Sequence, residues 1–96
     1  MLNNTKSDGK PFFSLIIPVY NAEKFIGRCL DSLLEQTFKD YEIIAVDDCS
    51  KDNSLNVLQE CSKKYPIVQV IHQEKNGGSV LARETGLLNS SGEYII

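Results

Sequence analysis

Apolar and polar positions along the chain follow two repeating patterns. Continuous apolar runs cover residues 14–19, 41–46 and 67–71, and residues 93–96 (EYII) are predicted to begin a fourth strand. Runs of this length and character are typical of strands buried on both faces of a parallel sheet. Between the runs, apolar pairs recur at helical spacing. This alternation predicts an α/β fold, β-α-β-α-β-α-β, with a mostly parallel sheet.

The limits of the predicted helices follow from residues that start and stop helices. Asn21 is expected to cap the first helix, which ends near Thr37. Asp52 is expected to cap the second helix, which Pro66 ends. Pro18, which has no N–H to donate, is expected at the end of the first strand. The third helix is predicted over residues 79–88, and one side of it carries Leu81, Thr85 and Leu88.

The length and charge of the chain exclude several classes of protein. The 96 residues allow one small domain, and 42% hydrophobic with 24% charged residues is an ordinary globular composition. Residues 1–12 are interpreted as a flexible polar leader that lacks the apolar segment of a signal peptide, and residues 13–96 as the domain. The net charge of −3, without a basic stripe, predicts no nucleic-acid partner.

The chain has three cysteines and no CxxC pair, which favours neither a disulfide framework nor a zinc site. Cys29 and Cys61 lie on apolar faces of predicted helices and are expected to be buried core residues. Free cysteines are typical of reducing compartments, so a cytoplasmic location is expected, at the cytoplasmic face of the membrane if the full-length protein is attached to one.

Polar and aromatic residues follow the predicted strands, where ligands of open parallel sheets bind. Tyr20 offers a ring on which a nucleobase can stack, or it packs over the first helix. Asp47 and Asp48 are neighbours on a strand, so their side chains point to opposite faces and are not expected to share a ligand. One acid can accept hydrogen bonds from the strand-end backbone and the other from a base or ribose. A pair of acids can also bind Mg²⁺.

Three further features leave alternatives open. Residues 76–78 (NGG) allow close approach of the backbone to a ligand, or only a turn with positive φ. Arg83 can contact a phosphate or lie solvated on the surface. His72, the only histidine, is interpreted as packing or facing solvent. A hydrolytic triad is not supported, because no serine or cysteine stands at a strand-to-helix elbow.

Several segments in a fixed order carry a resemblance to a known family. They are residues 14–21 (SLIIPVYN), 33–38 (LLEQTF), 41–54 (YEIIAVDDCSKDNS), 76–78 (NGG), 82–87 (ARETGL) and 92–95 (GEYI). Over residues 13–96 the chain resembles the family 2 glycosyltransferases of GT-A fold. The resemblance implies a three-layer, Rossmann-like sandwich with strand order 3-2-1-4. It also implies that residues 13–96 are the N-terminal nucleotide-sugar-binding part of an incomplete domain.

The resemblance implies transfer of a sugar, with inversion, from a nucleoside-diphosphate sugar to an acceptor hydroxyl in polysaccharide or glycoconjugate biosynthesis. A UDP-sugar is the expected donor, and a saccharide, a lipid-linked sugar or a protein is the expected acceptor. Asp48 would bond the base, Asp47 would support the strand end or the ribose, and Arg83 would lie near the phosphates or order the nearby loop. The nucleotide-sugar site that it implies consists of Pro18, Tyr20, Asn21, Asp47, Asp48, Gly78 and Arg83.

The family's metal-binding Asp-x-Asp would follow residue 96, and its catalytic base lies further on. We therefore expect a Mg²⁺ or Mn²⁺ ion in the full-length enzyme, but no metal-binding or catalytic residue and no sugar transfer in these 96 residues. Cys49 replaces a glycine of the family pattern, so its turn must avoid positive φ or tolerate strain, and Glu84 replaces an asparagine. The open sheet edge beside the fourth strand is expected to favour self-association.

The alternative is a stand-alone nucleotide-binding or regulatory module without transferase activity. A dinucleotide-binding domain would need GxGxxG after its first strand, where residues 18–23 read PVYNAE. A phospho-acceptor receiver domain would be expected to carry its paired acids after the first strand, whereas here they follow the second.

Overall fold

The structure, a computed structural model, describes residues 11–35, 40–92 and 94–95. Within these ranges the elements follow in this order: β1 (Phe13–Val19), α1 (Glu23–Leu34), β2 (Tyr41–Asp48), α2 (Ser54–Lys64), β3 (Val68–Gln73), α3 (Gly78–Leu88) and β4 (Tyr94–Ile95). The α/β class predicted from the alternation is confirmed. None of the helices in these ranges is long and apolar enough to cross a membrane.

All four strands lie in one parallel sheet, in the order β3-β2-β1-β4. β1 and β2 are in register from Phe13 opposite Tyr41 to Val19 opposite Asp47. β3 lies along residues 43–48 of β2. Because β1, β2 and β3 run in the same direction, their carboxyl ends meet at one edge of the sheet. We call this edge, with the loops at residues 20–22, 49–53 and 74–77, the carboxyl edge.

β2 is the centre of the core because its side chains are covered on both faces. Ile43 faces a large apolar cluster to which α1 and α2 contribute. Ile44, the next residue, faces the other way and packs with Val46 and with Ala82 of α3. Both isoleucines are fully buried. Helices therefore cover both faces of the sheet, with α1 and α2 on one and α3 on the other.

Pro18 is the sixth of the seven residues of β1 and does not interrupt the ladder to β2. Ile43 donates its N–H to Ile67, so the odd-numbered residues of β2 bond to β3 and the even-numbered ones to β1. Phe13 donates its N–H to Asp40, so the odd-numbered residues of β1 bond to β2. The nitrogen of Pro18 therefore faces the side of β4, whose described residues pair with the first two residues of β1. A proline here costs no β1–β2 hydrogen bond.

The first helix does not begin as predicted. Asn21 is not its N-cap: Ala22 takes that position, and no side chain caps the helix from there. The helix ends at Leu34. The predicted end at Thr37 lies outside the described residues, as does most of the predicted leader, residues 1–10.

α3 packs on the sheet through its smallest residues. Ala82 and Gly86 are its buried positions, and Gly86 lies directly against Ile16 of β1. The leucines of the predicted apolar side point elsewhere, since Leu81 is 46% and Leu88 is 87% exposed. Close approach of helix and sheet, rather than leucine packing, therefore fixes the position of α3.

The prediction that two cysteines are buried is wrong for Cys29, and Cys61 is only partly buried. Cys29 is exposed on α1, because the buried residue of that turn is its neighbour Leu30. Cys61 is partly buried and packs against the α1–α2 cluster, and this burial raises the pKa of its thiol.

A polar clasp holds the chain where it enters β4, at the opposite edge of the sheet. Ser14 is fully buried, and its hydroxyl donates to the Glu42 carboxylate and accepts the N–H of Gly92 at 2.7 Å. The N–H of Ser91 donates to the same carboxylate at 2.7 Å. The clasp binds the α3–β4 connection to β1 and β2.

We expect the same substitution in two helical glycines to have opposite effects. A Cβ at Gly86 would overlap Cγ2 of Ile16, so Gly86→Ala should destabilise the fold by about 1–3 kcal/mol. A Cβ at Gly27 would meet Val57 at an ordinary 3.8 Å, so Gly27→Ala should stabilise it by about 0.5–1 kcal/mol. Urea unfolding of both variants measures the difference, and two shifts of the same sign would contradict this packing of α3.

Candidate functional site at the carboxyl edge

The residues predicted for the site all lie at or near the carboxyl edge, but on different elements. Pro18 is in β1, with Tyr20 and Asn21 in the loop that follows, and Asp47 and Asp48 end β2. Gly78 is the first residue of α3, and Arg83 lies in its second turn. The two faces of the sheet divide this set, because side chains of neighbouring strand residues point in opposite directions.

Asp48 holds the start of α3. Its Oδ1 accepts the N–H of Gly77 at 2.9 Å, and its Oδ2 accepts the N–H of Gly78 at 2.8 Å. These are N–H groups at the helix N-terminus, where a carboxylate is favoured by hydrogen bonding and by the helix dipole. The side chain is nevertheless only 3% exposed. Asp48, at the end of β2, therefore caps the start of α3 and presents little surface to solvent.

Asp47 points to the other face and has different partners. Its Oδ2 accepts the N–H of Ser50 at 3.2 Å and lies 3.0 Å from Nδ1 of His72, which donates to it when that nitrogen carries the proton. Asp47 is fully buried, and its Oδ1 has no partner in the described part of the chain. The expectation that the two acids do not share a ligand agrees with this arrangement.

Asn21 connects the loop after β1 to the loop after β2. Its N–H donates to the Ser50 hydroxyl at 2.9 Å, and its side-chain Oδ1 accepts the N–H of Lys51 at 2.8 Å. The residue has a φ of 48°, a left-handed conformation that asparagine tolerates better than most residues. Asn21 therefore fixes the turn that carries Tyr20, through partners about thirty residues away in the sequence.

The turn at Cys49 is expected either to avoid positive φ or to tolerate strain, and the structure shows the strained conformation. Its φ is 59°, in the left-handed region that glycine occupies without steric cost. Its Sγ donates to the carbonyl oxygen of Glu74 at 3.2 Å. The thiol thus connects the loop after β2 to the loop after β3, a contact that a glycine lacks.

The N-termini of α1 and α2 cap each other. Asp52 accepts the N–H of Ser54 at 2.9 Å through Oδ1 and the N–H of Glu23 at 3.2 Å through Oδ2. Glu23 in return accepts the N–H of Asn53 at 3.2 Å, and the Ser54 hydroxyl accepts the N–H of Ala22 at 2.8 Å. The N-cap position of α2 is Asn53 and not the predicted Asp52. Asp52, one residue earlier, still accepts an N–H from the first turn of each helix. Hydrogen bonds from Ser54, chiefly its hydroxyl, and from Glu23 lower the pKa of Asp52.

The remaining predicted residues have few protein partners. Tyr20 is 45% exposed, and Pro18 is partly buried beside it. Gly78 has a φ of 86°, and a Cβ there would meet nothing within 4 Å. Arg83 is exposed, and its side chain makes no hydrogen bond or ion pair within the described residues. The base and phosphate candidates are thus accessible, unlike the two acids. Gly78 is open on its Cα side, although its N–H is bonded to Asp48 and Asn76.

The two acids do not form a metal site. Asp47 and Asp48 lie on opposite faces and accept different N–H donors. Across the residues that the structure describes, no group of three or more His, Cys, Asp and Glu side chains is placed to hold a metal ion. An open groove of about 560 Å³ lies far from the carboxyl edge, beside α1 and α2, and contains none of the predicted site residues.

Sequence reasoning missed the partners that depend on register. The contact between His72 and Asp47 exists because the two residues are paired across β2 and β3. The roles of Ser50 and Ser54 depend on the approach of the loops after β1 and β2. Serine and asparagine in a turn signal a local cap, but not which other loop they bind.

Comparisons with known proteins agree on one family. A model described as Glycosyl transferase family 2 matches residues 14–96. Poly(ribitol-phosphate) beta-glucosyltransferase of Bacillus spizizenii is 49% identical over 86 residues, which are 86% of this chain and 14% of that protein. The uncharacterized glycosyltransferase EpsJ of Bacillus subtilis is 46% identical over 85 residues, 88% of this chain and 24% of that protein.

A solved structure gives the same result. The crystal structure of Staphylococcus aureus TarS 1–349 in complex with UDP-GlcNAc has a TM-score of 0.82 and 36% identity to this chain. The match covers 88% of this chain and 25% of that one. This chain therefore spans a quarter or less of the length of these three proteins.

The left-handed turn at Cys49 leads to a prediction about stability. Cys49→Gly and Cys49→Ala both lose the thiol contact, but only alanine keeps the strain of about 1–2 kcal/mol. Glycine relieves this strain, and its greater loss of backbone entropy on folding offsets only part of the gain, so we expect the glycine variant to be more stable by about 0.5–1 kcal/mol. Urea unfolding measures the difference, and an alanine variant as stable as the glycine variant would contradict the assigned conformation.

The cross-capping at Asp52 predicts an acid dependence. Since the folded-state pKa is lowered, the stabilisation is complete above the unfolded-state pKa of about 3.9 and is lost as the pH falls through the folded-state pKa. We expect Asp52→Asn to remove this part of the loss of unfolding free energy below about pH 4. Thermal unfolding across the acid range measures it. Asp31→Asn, on the exposed side of α1, is the control, and matching curves for both variants would refute the capping role.

Proposed function

Because the chain belongs to glycosyl transferase family 2, we propose that its carboxyl edge forms the nucleotide part of a donor-sugar site. The enzyme would transfer a sugar, with inversion, from a nucleoside-diphosphate sugar to an acceptor hydroxyl. One observation carries this proposal: α3 begins at this edge with its N-terminus held by Asp48. Helix N-termini at the carboxyl ends of parallel strands are where nucleotide phosphates bind.

The three helix N-termini at the carboxyl edge are not equivalent. Those of α1 and α2 are occupied by each other's side chains, through Asp52, Glu23 and Ser54. At α3, Asp48 accepts the N–H groups of Gly77 and Gly78 from the sheet side, and Asn76 also accepts that of Gly78. No side chain of α1 or α2 contributes there, and Gly78 leaves open space beside the backbone. A diphosphate therefore meets the least obstruction at α3.

Each predicted residue receives a role in this proposal. The exposed ring of Tyr20 stacks on the base, with Pro18 beside it, and Asn21 holds their turn in place. Arg83 pairs with a phosphate, because a guanidinium makes bidentate contacts to phosphate oxygens. Asp47 supports the strand end, which agrees with its hydrogen bond from Ser50.

Asp48 has two functions in the proposal. Each carboxylate oxygen can accept more than one hydrogen bond, so Asp48 can receive a base N–H while it still holds Gly77 and Gly78. Since it is only 3% exposed, the base reaches it after a local shift of the loop at residues 74–76. A carboxylate that accepts from an N3–H selects uracil over bases that lack that proton.

The finer features of the reaction are proposals of the same kind. A UDP-sugar is the first candidate donor, which the complex of the related TarS protein with UDP-GlcNAc supports. The acceptor would be a saccharide, a lipid-linked sugar or a protein, in polysaccharide or glycoconjugate biosynthesis in the cytoplasm. We assign the Mg²⁺ or Mn²⁺ ion and the catalytic base to residues outside the described ranges, because Asp47 and Asp48 lie on opposite faces of the sheet and cannot share one ion.

We expect the chain to bind UDP saturably, in preference to GDP and NAD. Arg83→Gln should weaken UDP by about tenfold or more, since a charge-assisted contact is lost, and leave uridine binding unchanged. The melting temperature should not change, because the side chain is exposed and has no protein partner among the described residues. NMR titration with UDP and uridine measures both affinities.

Arg28→Gln is the matched control, since Arg28 is an exposed helical arginine on α1, on the other face of the sheet. It should bind UDP as the unaltered chain does. Equal losses of UDP affinity in the two variants would show only a general effect of charge. Tighter binding of NAD than of UDP would instead favour the stand-alone nucleotide-binding module. Asp48→Asn is less suitable as a test, because it also removes a cap from α3.

A further inference from the structure

The outer edge of β3 presents an ordered row of backbone groups. β3 is the end strand of the order β3-β2-β1-β4. Ile43 of β2 donates its N–H to Ile67, so the odd-numbered residues along β3 bond to β2. The even-numbered residues, Val68, Val70 and His72, therefore direct their N–H and C=O groups outward.

Most of these outward groups lack a partner within the described ranges. The N–H of Val68 donates to Tyr65 at 3.0 Å. No hydrogen bond is found there for the C=O of Val68 or for either backbone group of Val70 and His72. β3 also lacks the features that protect sheet edges: residues 68–73 read VQVIHQ, without lysine, acid, proline or positive φ.

We propose that a second copy of this chain pairs with β3 in antiparallel orientation, about a two-fold axis at Val70. In that register Val70 and Val70 of the partner subunit exchange two hydrogen bonds. The C=O of Val68 accepts the N–H of the partner's His72, and symmetry repeats this bond. Four hydrogen bonds thus satisfy the free groups of Val68 and Val70 and the N–H of His72. The pairing uses the same surface on both copies and closes as a dimer.

The side chains fit the same register. Val70 is partly buried against the α1–α2 cluster and would lie beside the partner's Val70, which extends that cluster across the axis. Ile71 is partly buried on the α3 face and would lie opposite the partner's Gln69, an uncharged residue. Antiparallel orientation also brings Glu74, which follows β3, near the lysine pair that precedes the partner's β3. Lys75 beside Glu74 offsets part of this attraction, and Lys63 already pairs with Glu60.

The size of this contact predicts a weak dimer. Five paired residues, 68–72, span about 17 Å, at about 3.3 Å per residue. The surface buried by such an edge is below the roughly 1,200 Å² of stable complexes. The dimer should therefore form with rising protein concentration and dissociate on dilution.

Hydrogen exchange of the unaltered chain tests the proposal without a substitution. Between dilute and concentrated protein, we expect the exchange of the Val70 and His72 amides to slow by about fivefold or more. The amides of Gln69 and Ile71 already bond to β2 and serve as the internal reference. Sedimentation at the same concentrations should show a dimer. A monomer throughout, or a dimer without slower exchange at Val70 and His72, would overturn the proposal.

Cross-linking tests the register independently. In a chain with Cys29, Cys49 and Cys61 changed to serine, Val70→Cys would place two Cα atoms about 5.5 Å apart, within the range of a disulfide. Gln69→Cys is the control, because its copies would lie about 8 Å apart, beyond that range. We expect a disulfide dimer from Val70→Cys at high concentration and none from Gln69→Cys. Equal cross-linking, or cross-linking of Gln69→Cys alone, would contradict the register.

Discussion

The period of two along β2 is the constraint on which the rest of the structure depends. Every residue from Ile43 to Asp48 is buried, so both faces of this strand are core and nothing on it can turn to solvent. When the strand ends in two acids, each must find hydrogen-bond donors on its own face, because an unpaired buried carboxylate is costly. Asp48 finds them at the start of α3 and Asp47 at Ser50 and His72. The two acids thereby position the loops around the candidate site.

Features that depend on local pattern could be predicted from the sequence, while features that depend on contacts between loops could not. The opposite orientation of Asp47 and Asp48 follows from strand geometry alone. Asparagine is a common N-cap residue, but Asn21 instead donates its N–H to the Ser50 hydroxyl and accepts the N–H of Lys51, both in the loop after β2. Its preference for capping is real, and tertiary contacts redirect it. The same approach of two loops lets Asp52 serve a helix that the sequence could not assign to it.

The third helix illustrates a different limit of sequence patterns. Hydrophobicity selects Leu81 and Leu88 as its inward side, yet the sheet receives Ala82 and Gly86. Small residues allow a helix to approach a sheet closely, and the contact with Ile16 shows that no space is left for a methyl group. A scale that ranks residues by transfer free energy does not account for close approach of a helix to a sheet, so it selects the wrong side of α3.

The same geometry explains how one fold keeps binding and anchoring apart. An anion needs free N–H groups at a helix N-terminus, whereas a stable domain needs those groups satisfied. At α1 and α2 the chain satisfies them with Asp52, Glu23 and Ser54, which ties the two helices together and closes both ends to a ligand. At α3 the single acid Asp48 lies behind the helix start, in the sheet, and leaves the solvent side of the first turn to Gly78. The helix is thus anchored from within the fold, and in the proposed site its outer side receives a phosphate.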